Sequence, residues 1–219
     1  SLPRPRSGFL FGDRSSINYF IKIMKNENLK LAIQKNGRLT EDAVSFLRSA
    51  GLQFENYKQK LFSSCRNFPL EIVYVRDDDI PDYVRSGAVD LGIVGQNILN
   101  ESNKDVKNII NLNFGICSLS IAIPKNSNIK VIKQLINARI FTSYPNSTEK
   151  YFKKKNIQVN ILAVSGSVEI TPALGIADAI VDLVATGQTL ALNNLKVFEK
   201  IYDSRATLIT KKQNNLSEE

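Results

Sequence analysis

Ala177-Asp178-Ala179-Ile180-Val181-Asp182-Leu183-Val184-Ala185-Thr186-Gly187-Gln188-Thr189-Leu190 is the stretch on which the fold turns. Its first half is an apolar run suited to a strand of a parallel sheet covered on both faces. Such a strand normally excludes carboxylates, because burying an ion costs several kcal/mol unless it is compensated. Asp178 and Asp182 flank it nonetheless. The run then breaks into Thr-Gly-Gln-Thr and a helix begins. At such a turn backbone N–H groups, hydroxyls and the positive end of a helix converge, which suits a phosphate monoester. A carboxylate a few residues upstream suits the vicinal hydroxyls of a ribose. The plainer reading is an ordinary strand-to-helix connection capped by threonine.

Outward from this stretch, strands and helices alternate, as in an α/β protein. Strands are expected at Leu29–Ile33, Glu71–Arg76, Val89–Val94, Leu119–Ile123, Ala138–Ser143, Val159–Val164, Ala179–Val184 and Ala206–Ile209. Thr40 is expected to cap a helix with Glu41 and Asp42 in its first turn. Ala43, Val44, Phe46, Leu47 and Ala50 give that helix one apolar face, and Gly51 ends it. Asp79 and Pro81 should open a short helix that Gly87 closes. Further helices are expected over Val131–Asn137, from a Ser147 cap over Thr148–Lys155, and over Glu169–Leu174 and Thr189–Asn194. Val89-Asp90-Leu91-Gly92-Ile93-Val94-Gly95-Gln96 echoes Val181 to Gln188 in its Val, Asp, Leu, Gly and Gln positions. That fits two similar lobes with a ligand cleft between them.

The chain of 219 residues contains no histidine. Ser-His-Asp and Cys-His catalysis, histidine-ligated zinc and an imidazole base are therefore excluded, and proton transfer must use carboxylate, Lys, Tyr, Cys or water. Cys65 and Cys117 are too few for a disulfide framework and read as inert reduced thiols. No apolar run reaches the roughly 18 residues of a membrane span. The net charge of +8 points to an anionic ligand. Residues 1–23 hold Arg4, Arg6, Arg14 and Lys22 against Asp13 alone. The rest lacks the basic stripe with interleaved aromatics of a nucleic-acid binder, and Lys153-Lys154-Lys155 reads as a solvated helix face. Residues 1–23 are read as a leader or appended segment, with Met24, the only methionine, as native start. The polar end, Lys211–Glu219, should fray.

The acidic-Thr-Gly-x-Thr turn resembles the phosphoribosyl-pyrophosphate loop of phosphoribosyltransferases. The runs Ile33 to Leu39, Val75 to Pro81, Val89 to Gly95, Thr142-Ser143-Tyr144-Pro145 and Gly166-Ser167-Val168-Glu169 narrow this. Together, from about Leu29 to Ile209, they resemble the ATP phosphoribosyltransferase family, which opens histidine biosynthesis. The resemblance implies an α/β, two-lobed fold of the type II periplasmic-binding-protein kind. Residues 24–117 with 205–219 would form lobe I, and 118–204 lobe II. It implies transfer of phosphoribosyl from phosphoribosyl pyrophosphate to N1 of ATP, with Mg2+ on the released diphosphate, in a cytoplasmic homo-oligomer, dimer or higher. Nucleic acid and membrane are not expected partners. Ala173 and Ala185 depart from residues common in the family. The chain ends where short-form members end, which depend on a separate regulatory subunit, although Arg-Asp-Asp-Asp-Ile-Pro and Thr-Ser-Tyr-Pro look more like the long form.

On matched positions the resemblance places Asp182, Thr186, Gly187, Gln188 and Thr189 on the 5-phosphate. Glu169 and Asp178 would take the ribose hydroxyls or the Mg2+. Lys35 and Arg38 would neutralise the leaving diphosphate. Gly37, Arg76, Asp77, Gly92 and Tyr144 are the candidates for ATP. Ribosyl transfer of this kind needs positioning and electrostatic stabilisation rather than an imidazole. The competing readings are a two-lobed binding module without chemistry, a phosphoribosyltransferase for another base, and a catalytically weak subunit of a regulated assembly.

Overall fold

The computed structural model describes residues 28–55 and 61–212, apart from the side chain of Arg38. The expectations for residues 1–23, Met24 and the tail from residue 213 lie outside the described residues, while Lys211, at the start of the expected tail, is the last residue of a strand. Eleven strands are described: β1 (Leu29–Gln34), β2 (Phe62–Ser64), β3 (Leu70–Val75), β4 (Leu91–Gly95), β5 (Val106–Asn111), β6 (Cys117–Pro124), β7 (Arg139–Thr142), β8 (Asn160–Ala163), β9 (Ala179–Val184), β10 (Leu195–Ser204) and β11 (Ala206–Lys211). The described helices are α1 (Arg38–Ser49), α2 (Ile80–Ser86), α3 (Gln96–Ser102), α4 (Pro145–Lys154) and α5 (Gln188–Leu192).

The strands form two mixed sheets, one per lobe. The first has the order β2-β3-β1-β4-β11-β5 and the second β10-β6-β9-β7-β8. Each is built on three parallel strands, β3-β1-β4 and β8-β7-β9. Antiparallel strands extend each trio: β11 and then β5 beyond β4, with β2 beside β3, in the first sheet, and β6 and then β10 beyond β9 in the second. The chain passes from the first sheet to the second between β5 and β6, and returns between β10 and β11. The fold is thus α/β and two-lobed, as expected.

Alternation along each strand feeds both faces. On β1, Leu31 and Ile33 pack with Val44 and Leu47 of α1, while Ala32 packs with Ile80 and Val84 of α2 on the other face. In the second lobe Ile121, Ile140 and Val181 bury Phe152 of α4 on one face. Phe141, Ile180 and Leu190 build the opposite one.

Local expectations held at some ends and failed at others. Gly87 closes α2 in the left-handed region at φ 80°, which a glycine adopts without steric cost. Thr40 is not the cap of α1: that helix starts two residues earlier, with Gly37 at its N-cap. Asp79 precedes α2 without a side-chain cap bond. Ser147 lies inside α4, buried, with its hydroxyl 3.2 Å from that of Tyr202. Residues 132–135 make one 3-10 turn instead of a helix over Val131–Asn137.

Candidate active site

A cleft of about 620 Å³ lies between the lobes, at the carboxyl ends of the parallel strands. Open α/β sheets bind ligands at that end. From lobe I, Gln34 ends β1, Asp77 follows β3, and Gly95 and Asn97 stand where β4 turns into α3. From lobe II come Tyr144, Asp182, Thr186, Gly187 and Thr189. The crossover residues Gly115, Ile116 and Cys117 complete the wall.

The lobe II wall is the stretch that decided the fold. β9 ends at Val184, and Gly187 takes φ 75° before α5 begins. A Cβ on Gly187 would meet nothing nearer than Val184 Cγ1 at 3.9 Å, so the backbone angle requires glycine there, not space. Asp182 is half-buried, and its Oδ1 accepts the Leu183 N–H at 2.8 Å. Burial raises its pKa and Glu169 adds to the rise, against the pull of the Leu183 N–H. Glu169 therefore stands within electrostatic reach of Asp182, on the 3-10 turn Val168–Ile170.

Tyr144 stands between the two walls. Burial, the charge of Asp182 and that of Asp77 push its phenol far above the usual range, and a hydrogen bond with Asn97 opposes them. It is a neutral hydroxyl at any physiological pH, able to donate to a ligand anion. The buried Thr142 hydroxyl positions it by accepting the Tyr144 N–H at 2.9 Å while donating to Val181 O at 2.8 Å. Across the cleft, Gln34 Nε2 donates to Asp77 Oδ2 at 3.2 Å.

Two sequence assignments are corrected. Gly92 does not face the cleft: a Cβ there would lie 2.6 Å from Ile80 Cγ2 and 3.0 Å from Val84 Cγ2, so glycine lets β4 pack on α2. Asp178 stands at the amino end of β9, about 13 Å from Asp182 for four residues of strand. Its carboxylate accepts Arg139 N at 2.8 Å, Nε at 3.1 Å and Nη2 at 2.8 Å. That pairing makes it a fastening between strands and removes it from the ribose and metal positions.

Lobe I contains the same fastening. Asp90 Oδ2 accepts Lys30 N at 2.8 Å and Asp90 N donates to Lys30 O at 2.9 Å. Asp178 N likewise donates to Arg139 O at 3.0 Å. Both aspartates follow, by three residues, a glycine with positive φ, 80° at Gly87 and 71° at Gly175. The internal echo is therefore real but offset by four residues. Asp90 corresponds to Asp178, and Asp182 takes the place that Val94 holds in lobe I. Asp178→Ala should lower Tm by a few degrees at neutral pH. Arg139 holds the Asp178 carboxyl below its ordinary 3.8, so this stabilisation is present above that pH and is lost as the pH falls through the lowered value. Melting curves from pH 7 to 3 check this; a gap that widens in acid would oppose it.

The remaining assignments divide. Asp77, Tyr144, Asp182, Thr186, Gly187 and Thr189 line the cleft together. Lys35, Gly37, Arg76, Glu169 and Gln188 lie off its wall, although Lys35 and Gly37 flank it in sequence between Gln34 and Leu39. The Arg38 side chain lies outside the described structure. Sequence reading missed Gln34, Asp42, Asn97 and the crossover residues. Gln34 ends β1 and Asn97 follows β4 by two residues, and that position at a strand's carboxyl end was the available signal.

Two similar lobes, a cleft at their strand ends and two crossovers define a protein of the periplasmic-binding-protein fold class. Solved structures agree: the structure of Tv2483 bound to L-arginine superposes at a TM-score of 0.60, with 14% identity, over 91% of this chain and 82% of that one. The family model for ATP phosphoribosyltransferase matches residues 76–219, and the chain belongs to that family. An ATP phosphoribosyltransferase from Cytophaga hutchinsonii is 44% identical over 180 residues, 82% of this chain, which spans 63% of that relative's length. The ATP phosphoribosyl transferase (HisG:HisZ) complex from Thermotoga maritima contains a chain with a TM-score of 0.71 and 31% identity, over 84% of this chain and 87% of that one.

Proposed function

We propose that the chain transfers phosphoribosyl from phosphoribosyl pyrophosphate to N1 of ATP, giving N1-(5-phosphoribosyl)-ATP and diphosphate, at the start of histidine biosynthesis. The carrying observation is that the phosphate-type loop Asp182–Thr189 and the Gln34–Asp77 pair face one cleft with Tyr144 between them, in a chain of this family. The Thr186 and Thr189 hydroxyls and the loop N–H groups hold the 5-phosphate, with Gly187 and Gln188 shaping the turn. Asp182, whose carboxylate would repel a phosphate, moves from the 5-phosphate to the ribose side, where it joins Glu169 in place of Asp178. Gln34 and Asp77 orient the nucleotide from lobe I. Lys35 and Arg38, beside that wall in sequence, take the phosphates. The adenine N1–C1 bond forms as the C1–O bond to diphosphate breaks, the electron pair leaves with the diphosphate, and an amino proton goes to water. No step requires an imidazole.

Among the described residues, no three His, Cys, Asp or Glu side chains are close enough to hold a metal ion alone. Asp182, on the cleft wall, and Glu169, on the 3-10 turn Val168–Ile170 of the same lobe, are nonetheless two hard oxygen donors. Such a pair fits Mg2+, which keeps several waters and uses one or two carboxylates plus substrate phosphates. When bound, Mg2+ supplies charge neutralisation for the departing diphosphate.

The lobe boundaries, 24–117 with 205–219 and 118–204, belong to this proposal and are supported by the sheet to which each strand belongs. No helix among the described residues is long and apolar enough to cross a membrane. A cytoplasmic site of action is proposed from membership of the family. A homo-oligomer and a separate regulatory subunit are proposed from the likeness to the Thermotoga maritima complex. Mixing the protein with ATP, phosphoribosyl pyrophosphate and Mg2+ should raise the near-UV absorbance of the N1-substituted product. Ligand binding without turnover would instead favour a binding module or a weak subunit. Thr189→Val should raise the KM for phosphoribosyl pyrophosphate roughly tenfold, the loss of one hydrogen bond to a charged group. An equal rise for ATP would sink the assignment of the 5-phosphate.

A further inference from the structure

Helix α4 begins without a local cap. Tyr144 occupies its N-cap position and makes no side-chain cap bond, and Pro145 follows it in the first turn. The first backbone bond within the helix runs from Thr148 N to Tyr144 O. The N–H groups of Asn146 and Ser147 are therefore donors that every helix start leaves over. Both are taken by one carboxylate from the other lobe. Glu101 of α3 accepts Asn146 N at Oε1, 2.7 Å away, and Ser147 N at Oε2, 2.9 Å away. Asn146 Nδ2 also donates to Glu101 O at 3.0 Å.

The rest of α3 faces the same way. Asn97 N donates to Ser204 Oγ at 3.0 Å, and Ser204 Oγ donates to Asn97 Oδ1 at 3.1 Å. Gln96 N donates to Arg205 O at 2.9 Å, on the crossover between the lobes. Asn100 reaches the Tyr202 hydroxyl, which also meets Ser147. Positions 97, 100 and 101 share one helix face by their spacing. The start of α3 is thus fixed to the hinge, and Glu101 grips lobe II about 6 Å further along the axis for four residues of helix. A second grip away from the hinge fixes the angle between the lobes, which the crossover strands alone leave free to turn.

We infer that Glu101 is an interlobe latch and a positioning residue: it completes the first turn of α4 only when the lobes are closed, and so couples closure to the placement of Tyr144 in the cleft wall. The coupling follows from chain continuity, because Tyr144 and Pro145 immediately precede the two gripped amides. It does not rest on the activity proposed above.

Hydrogen exchange on the ligand-free full chain tests the latch. In Glu101→Ala the amides of Asn146 and Ser147 should exchange about tenfold faster or more, as expected for losing bonds to a charged acceptor. Amides of Phe152 to Lys154 should keep their protection. Spin labels at Ser45→Cys and Lys153→Cys, with Cys65 and Cys117 replaced by serine, read the lobe separation. Their distance distribution should broaden in Glu101→Ala, a change that mere capping of α4 would not produce. Should Glu101→Ala melt all of α4, Glu101→Gln decides: faster exchange confined to Asn146 and Ser147, with a broadened distance, supports the latch. Wild-type exchange at those amides, or an unchanged distance distribution, overturns it.

Discussion

Asp182→Asn should cut turnover roughly a hundredfold, the usual order for removing one preorganised electrostatic group from an active site, while making the folded protein more stable. Opposite signs are what a charge that serves a ligand and not the fold would give. Burial and Glu169 raise the carboxyl pKa above its ordinary 3.8 in the folded chain. A raised folded value means the folded state holds its proton more tightly than the unfolded state. Stability therefore falls as the pH rises through the raised value. Asparagine keeps an oxygen to accept the Leu183 N–H and carries no charge. At pH 7 the variant should therefore melt above the parent. Below pH 3.8 the carboxyl is protonated in both states and the gain should vanish. Paired melting curves and initial rates from pH 3.5 to 8 measure both halves. A variant that loses stability at neutral pH would show that Asp182 is a structural ion, like Asp178.

The largest expected loss of stability is at Gly92. Its Cβ position lies 2.6 Å from Ile80 Cγ2, 3.0 Å from Val84 Cγ2 and 3.2 Å from Ile209 Cγ1. All three neighbours are fully buried, so none can swing into solvent. Overpacking of a close-packed core costs about 1–3 kcal/mol. Gly92→Ala should therefore lower Tm by roughly 2–4 °C for each kcal/mol lost. Because the side chain grows toward α2 and not toward the cleft, the KM for ATP at 20 °C should stay that of the parent. A raised KM with an unchanged Tm would reinstate Gly92 as a ligand contact. Gly187→Ala makes the contrasting case: space is available, and the cost there comes from the left-handed backbone at φ 75°.

Local signals and tertiary facts divide cleanly at the sheet edges. The expected strands belong to the interior of the sheets, save β8, because burial on both faces writes an apolar run into the chain. The strands that escaped notice, β2, β5 and β10, are all edges. β5 is almost wholly exposed, so no burial period marks it. Helix α3 escaped as well, because its stripe of Asn97, Asn100 and Glu101 looks solvated until lobe II is placed against it.

The sequence by itself determined the alternation of strand and helix, the loop after Asp182 and the turn at Gly87. Each depends on a neighbour within a few residues: apolar periodicity, a backbone angle only glycine takes readily, or a carboxylate before a small-residue turn. Only the tertiary structure decided which of two similar aspartates faces the cleft. Asp178 and Asp182 differ little in local sequence, but one meets Arg139 at the start of its sheet and the other meets the cleft at its end. The same holds for the two amides at the start of α4, whose acceptor lies 45 and 46 residues away in the other lobe. Contacts between distant segments carry no signature in the local chain, and their electrostatics exist only once packing has brought the groups together.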